Sequence, residues 1–144
     1  HIVSSRIGLS NTCRLIDEFL DEFIKNPSCV LNYNAIIVDE AQFASPEQID
    51  LFSDIVDTWQ IPVLCYGLRA DFQNKFFPGS RRLMEIADEI KEIKTICWCG
   101  KKATCNARYD DNGIIKEGAQ VVLGANDKYI ALCRKHFKEG NLGK

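Results

Sequence analysis

The apolar run Ala35-Ile36-Ile37-Val38 stops on two acids, Asp39 and Glu40, and a second run, Ile61–Tyr66, follows one helix later. Short, β-branched runs bounded by turn residues read as buried strands. Between them, Ser45-Pro46-Glu47-Gln48 has the grammar of a helix start, with Ser at the N-cap, Pro at the first helical position and Gln at the third. Ile49, Phe52, Ile55, Val56 and Trp59 recur at helical spacing behind it and predict the buried stripe. Pro62 near the start of the second run is tolerable, because an edge or first-residue proline breaks no essential ladder bond. A strand, a helix and a second strand in this order predict a parallel pair.

The flanking segments extend the pattern. Leu15, Ile16, Phe19, Leu20, Phe23 and Ile24 predict an amphipathic helix over 12–24, ended by Asn26-Pro27. Ser80 is placed to cap a third helix that turns Leu83, Met84, Ile86, Ala87 and Ile90 inward, and Glu92–Ile96 reads as a third strand of the same sheet. After Cys97 the pattern changes. Ala107–Tyr109 and Ile114–Lys116 flank the turn Asp110-Asp111-Asn112-Gly113 like a hairpin. Gln120–Leu123 reads as another short strand, and Asn126 or Asp127 as the cap of a last helix reaching about Lys138. Residues 95–144 are too poor in long apolar elements to build a core unaided, and modules of that size commonly need a metal or disulfides. The expected division is 1–94 and 95–144.

The chain has 144 residues, a net charge of −2 and seven cysteines. Its pI near 5.7 argues against a nucleic-acid binder, which is usually basic. No apolar stretch is long enough to span a membrane and no signal peptide is visible. An odd cysteine count suits a disulfide framework poorly and points to an intracellular protein with thiols or a metal. The opening His1-Ile2-Val3-Ser4-Ser5-Arg6 has no Met and no strand or cap signature, and reads like the interior of a longer protein.

Three constellations carry chemistry. In open α/β sheets, ligands bind beyond the carboxyl ends of the strands, where Asp39 and Glu40 fall. An Asp-Glu pair at that edge looks like a Walker-B element, with Asp39 holding Mg²⁺ and Glu40 free for proton chemistry. The alternative is a turn with both acids in solvent, and Asp39-Glu40-Ala41-Gln42 also occurs in helicase-type strands. No Gly-x4-Gly-Lys-Ser/Thr occurs in the 144 residues, so nothing among them cradles the β- and γ-phosphates of ATP.

Cys97-Trp98-Cys99 and Cys133-Arg134-Lys135-His136 form a Cys3His set of the kind that holds zinc tetrahedrally and leaves no open position, so such a site is structural. Cys105 is a spare thiol that could replace one ligand. The alternative is four reduced cysteines and a surface histidine. The loop from Leu68 to Gly79 carries Phe72, Phe76 and Phe77 beside polar groups, which suits either stacking on a flat ligand such as a nucleobase or ordinary core packing.

The chain resembles the type II (cellular, tetrameric) thymidine kinase family, especially its bacterial branch. The resemblance rests on Ser4-Ser5-Arg6-Ile7-Gly8-Leu9, Ile37–Phe43, Ile61–Arg69, Thr95–Gly100, Gly124–Tyr129 and Cys133–His136, in the family's order over nearly the whole chain. It implies a P-loop-type parallel α/β sheet with flanking helices, whose first strand and P-loop are missing here, plus a small C-terminal zinc-binding lasso domain. The implied reaction is transfer of the ATP γ-phosphate to the 5′-hydroxyl of thymidine, in deoxynucleoside salvage. By the same resemblance Glu40 matches the general base and Asp39 a residue that helps hold Mg²⁺. Ala41 and Gln42 accompany these two on the cofactor side. Phe43, Leu68, Phe72 and Phe77 match walls of the thymine pocket. Val121, Val122, Leu123, Gly124 and Tyr129 match the lasso that closes over the base, and Cys97, Cys99, Cys133 and His136 match the structural zinc site anchoring its ends. A cytoplasmic homotetramer, with thymidine triphosphate as feedback inhibitor and no nucleic-acid or membrane partner, is the remaining expectation. Two rival readings are a P-loop helicase or ATPase fragment and a non-catalytic zinc-stabilised interaction module.

Overall fold

The computed structural model describes residues 1–122 and 128–143. The chain divides into two compact units, His1–Gly67 and Leu68–Lys144. The Phe-rich loop and the helix after it therefore group with the cysteine-rich segment.

In the first unit, β1 (Ile2–Ser4) and β2 (Ser10–Thr12) pair antiparallel, turned by Gly8 at φ 86°. The predicted featureless start is thus a small exposed hairpin; its apolar residues are too few and too irregular to signal it. Helix α1 (Ile16–Lys25) begins later than its apolar pattern and is followed by a 3-10 turn over Pro27–Asn32. Strand β3 (Ile36–Val38) pairs in parallel with β4 (Val63–Cys65), in the register Ile36↔Val63, Ile37↔Leu64 and Val38↔Cys65. The helix between them, α2 (Pro46–Trp59), carries the full capping box: the Ser45 hydroxyl accepts from Gln48 N at 3.2 Å, and Gln48 Oε1 accepts from Ser45 N at 2.9 Å.

Ile49, Phe52 and Ile55 from α2 and Phe19, Leu20 and Phe23 from α1 are buried, with Cys29, Val30 and Val38. Phe19 stacks on Phe52 with centroids 6.5 Å apart and meets Tyr33 edge-on at 6.1 Å. The expectation of fully buried strands needs correction. Val38 is buried, but Ile37 is 70% exposed and its ladder partner Leu64 is exposed too. The two side chains share one face of the pair, and the described residues cover only the other.

The second unit opens with α3 (Pro78–Ile86), which starts at Pro78 instead of after Ser80 and ends before Ala87 and Ile90. Proline at the first position nucleates that turn, and the Ser80 hydroxyl is free to donate to Leu68 O. The predicted third parallel strand is a further correction. Only Thr95–Ile96 (β5) is extended, and it pairs antiparallel with β6 (Lys102–Ala103) around the Cys97–Gly100 turn. A three-stranded antiparallel sheet of β8 (Gly113–Ile114), β7 (Cys105–Asp110) and β9 (Lys128–Leu132) follows, with the expected hairpin between β7 and β8. Gln120–Val122 is not a strand, and Leu123 lies outside the described residues. Lys128–Leu132, assigned from the pattern to the last helix, is a strand; α4 is only Arg134–Glu139, with Cys133 at its N-cap. The cap sites Asn126 and Asp127 lie outside the described residues. Cys97, Ala107, Leu132 and Cys133 form one buried cluster of this unit, under Ala103, Ile114, Ile130, Phe137 and Leu142, and Phe72, Phe77 and Cys105 are buried as well.

No helix among the described residues is long and apolar enough to cross a membrane. Replacing Ser45 by Ala removes one half of the capping box, and is expected to lower the unfolding free energy by about 1 kcal/mol, read as a lower urea midpoint at unchanged slope.

Candidate functional site

The acidic corner sits where β3 ends. Tyr66 N donates to Val38 O and Ala41 N donates to Tyr66 O, both at 2.8 Å, so the parallel ladder runs past Asp39 and Glu40 and turns the chain there. Glu40 takes the left-handed conformation, φ 51° and ψ 38°, which a residue with a Cβ adopts only at a cost of about 1–2 kcal/mol. Neighbouring contacts hold it. Asp39 Oδ1 accepts from Glu40 N at 2.9 Å, Phe43 N donates to Glu40 O at 3.0 Å, and Gln42 Nε2 donates to Glu40 Oε2 at 2.5 Å.

Gln42, 2% exposed, is the buried member of this group, and Ala41 is buried beside it; Asp39, Glu40 and Phe43 are exposed. Gly67 permits the close approach. A Cβ there would strike Gln42 Oε1 and lie 3.1 Å from Gln42 N and 3.2 Å from Ala41 N. The corner thus presents one oriented carboxylate, Glu40, next to a second, Asp39, whose Oδ1 is already occupied by a backbone donor.

The aromatic loop has its own scaffold in the second unit. Ala70 and Phe76 bridge antiparallel, and Asp71 Oδ1 accepts from Gln73 N at 2.8 Å and Lys75 N at 3.0 Å, closing the turn. The three phenylalanines differ in placement. Phe76 is exposed, Phe77 is buried, and Phe72 is 2% exposed beneath the Arg108 guanidinium, whose carbon lies 3.9 Å from the ring centroid. Leu68, Val121 and Val122 are exposed, and Leu123 and Gly124 lie outside the described residues. Tyr129 is 50% exposed, with its hydroxyl accepting from Arg108 Nε at 3.0 Å.

Arg108, Asp71 and Gln120 escaped the sequence reading. Gln120 Nε2 donates to Asp71 Oδ2 at 2.8 Å and to Phe76 O at 3.2 Å. The signal was an arginine inside a strand whose neighbours face the core, which is ambiguous until its partners are known.

The third constellation assembles as expected. The ligand atoms of Cys97, Cys99, Cys133 and His136 all lie within 4.8 Å of one another. His136 Nδ1 is 3.5 Å from both Cys97 Sγ and Cys133 Sγ, and Cys99 Sγ is 4.0 Å from Cys133 Sγ. Two local structures deliver them: the tight Cys97–Gly100 turn, closed by Gly100 N to Cys97 O at 2.9 Å, and the first turn of α4. Desolvation works against the Cys97 thiolate, but hydrogen bonds from the backbone at Cys99 and Cys133 and from the His136 and Cys99 side chains outweigh it and bring the thiol to about 6.

Cys99 shifts the other way. A backbone bond from Lys101 favours its thiolate, but desolvation and the sulfurs of Cys97 and Cys133 together push it up. Three thiolates in this space repel one another, and a bound cation is what would let all of them ionise. Trp98 stacks on the His136 ring at 4.3 Å and 14°, and donates to Asn141 O at 3.2 Å, so it fixes the imidazole from outside. Cys105 is not part of the cluster; it is buried and accepts from Asn74 Nδ2 at 3.4 Å. Among the remaining thiols, burial pushes Cys65 up to about 11, in keeping with an inert position.

Comparison with known proteins adds the last element. The family model for thymidine kinase matches residues 1–137. The thymidine kinase of Haemophilus influenzae is 47% identical over 145 residues, covering 95% of this chain and 72% of the relative. That of Vibrio parahaemolyticus is 48% identical over 145 residues, covering 99% of this chain and 75% of the relative. That of Legionella pneumophila is 44% identical over 146 residues, covering 99% and 70%. A match of this extent takes in the acidic corner, the aromatic loop and the Cys/His cluster together, and the chain belongs to the thymidine kinase family.

Proposed function

We propose that this protein transfers the γ-phosphate of ATP to the 5′-hydroxyl of thymidine, with Glu40 as general base. Identity of 44–48% to bacterial thymidine kinases over nearly the whole chain carries the reaction. The geometry of the acidic corner supports the assignment of roles. Phosphoryl transfer asks mainly for positioning and charge neutralisation, and a base must reach the hydroxyl it deprotonates.

Gln42 fixes Glu40 through Oε2 and leaves Oε1 to take the proton from the nucleoside hydroxyl. The backbone strain at Glu40 is consistent with a residue held for reaction instead of for stability. Asp39, with Oδ1 occupied by Glu40 N, offers Oδ2 to the hydration shell of Mg²⁺, which supplies charge neutralisation on the phosphates when bound with ATP. Ala41 and Gln42 complete this cofactor side.

Phe43, Leu68, Phe72 and Phe77 are the proposed walls around the base, with Val121, Val122, Leu123, Gly124 and Tyr129 closing over it. Phe72 and Phe77 serve from within the packing of their loop, so they set the position of a wall more than they expose one. Thymidine triphosphate, which carries the same base, is the expected feedback inhibitor, and a cytoplasmic homotetramer is the expected assembly; both rest on the family resemblance.

The Cys/His cluster fits zinc. With Zn–S near 2.3 Å and Zn–N near 2.0–2.1 Å, tetrahedral angles place two sulfurs about 3.8 Å apart and a sulfur about 3.5 Å from a nitrogen. The separations of 4.0 and 3.5 Å match these edges. Four protein ligands leave no position for substrate, so zinc here holds the fold.

Two outcomes check this reading on the full-length protein. Glu40→Gln is expected to cut kcat by about 10²- to 10⁴-fold while leaving the thymidine dissociation constant nearly unchanged; undiminished turnover removes Glu40 as the base. Stripping the metal with a chelator is expected to release zinc and shift Trp98 fluorescence. It should also open residues 68–143 to proteolysis while 1–67 stays resistant. A metal-free protein that keeps its Trp98 signal and its protease resistance argues against a structural zinc.

A further inference from the structure

Arg108 is the largest fully buried side chain among the described residues, 2% exposed in the middle of β7. Its guanidinium reaches three separate stretches of chain. The face covers the Phe72 ring at 3.9 Å. The edge donates from Nε to the Tyr129 hydroxyl at 3.0 Å, from Nη1 to Ala119 O at 2.9 Å and from Nη2 to Gln120 O at 3.1 Å. The 119–120 segment is also held by Gln120 Nε2, which donates to Asp71 Oδ2, while Asp71 Oδ1 closes the aromatic loop.

A buried cation is costly unless its donors are satisfied, and an apolar side chain of similar volume would fill this space more cheaply. What an apolar side chain lacks is a rigid planar fork whose donors point in fixed directions while its face lies on a ring. The arrangement therefore specifies geometry more than it adds cohesion. The Tyr129 hydroxyl accepts from Nε and so keeps its own proton to donate outward, from a side chain that is half exposed.

We propose that Arg108 is a positioning residue that sets affinity for the nucleoside base by locking Phe72, residues 119–120 and Tyr129 into one arrangement, without acting on phosphoryl transfer. This rests on the reading above that Phe72 and Tyr129 belong to the base pocket. Arg108→Lys keeps the charge and most of the packing but loses the planar fork; Arg108→Gln loses the charge as well.

The test uses the zinc-loaded full-length protein and both variants. It measures zinc content, hydrogen exchange at the amides of 119–122 and 129, and steady-state kinetics with thymidine and ATP. The expected result is retained zinc and exchange faster by about tenfold or more at those amides. A thymidine KM raised about tenfold or more is expected with it, while the ATP KM and kcat stay within about threefold. Faster exchange with an unchanged thymidine KM would make Arg108 merely structural and overturn the proposal. So would a thymidine KM that rises only together with the ATP KM or with a fall in kcat. Unchanged exchange in a variant of an active kinase would overturn the clamp itself. Faster exchange in a protein whose wild type phosphorylates no nucleoside would support the clamp and sink the kinase reading instead. If Arg108→Gln does not fold, Arg108→Lys alone decides the matter through the same split.

Discussion

The turn Cys97–Cys99 and the start of the last helix, Cys133–His136, close on one another in the unit Leu68–Lys144, with their four ligand atoms within 4.8 Å. One buried cluster of this unit is Cys97, Ala107, Leu132 and Cys133, and two of its four members are metal-ligand candidates. A cluster of this size makes a small contribution to the closure of the chain between its two cysteine-bearing turns, which costs loop entropy. A structural zinc supplies apparent binding energies of about 10–16 kcal/mol in zinc-finger peptides, and such energy counts as folding energy when no site pre-exists in the unfolded chain. The antiparallel sheet, the short α4 and the Trp98–His136 stack are arranged around this one closure. The Arg108 fork reaches from the central strand β7 to the aromatic loop and to residues 119–120.

Local signals in the sequence were read well, and non-local pairing was not. Ser45, Pro46 and Gln48 specify the start of α2 within four residues, and the full capping box forms. The β7–β8 hairpin is equally local, with Asn112-Gly113 at its turn and Gly113 at φ 117°. Glu92–Ile96 looked like a strand of the parallel sheet, but its partner is decided by the Cys97–Gly100 turn, which folds the chain straight back onto Lys102–Ala103. Lys128–Leu132 could be read as helix or strand, and pairing with Cys105–Tyr109 settled it. Burial was the hardest to foresee. Phe72 and Phe76 are indistinguishable in the sequence, yet one lies under a guanidinium and the other is exposed.

The candidate site divides in the same way. The Cys/His set was legible because ligand chemistry and spacing are both written in the sequence. Asp39 and Glu40 were legible as a strand-end acid pair, but the left-handed backbone at Glu40 and its bond from Gln42 were not, since both depend on how closely β4 approaches. Arg108 was overlooked because a lone arginine in a strand carries no motif; its meaning lies wholly in partners at positions 72, 119, 120 and 129.

Gly67 has a consequence for how this corner can vary. The space a methyl group would need there is occupied by the Gln42 amide, the same amide that orients Glu40. A larger residue at 67 would have to displace that amide, and it would still meet the main-chain nitrogens of Gln42 and Ala41 at 3.1 and 3.2 Å, which no shortening of side chain 42 removes. Relief at 67 therefore involves the backbone at 41–42 as well as the side chain, and moving either disturbs the bond that holds Glu40. The direction of the Glu40 carboxylate is thus tied to the missing side chain of Gly67, a residue that carries no charge and meets no proton.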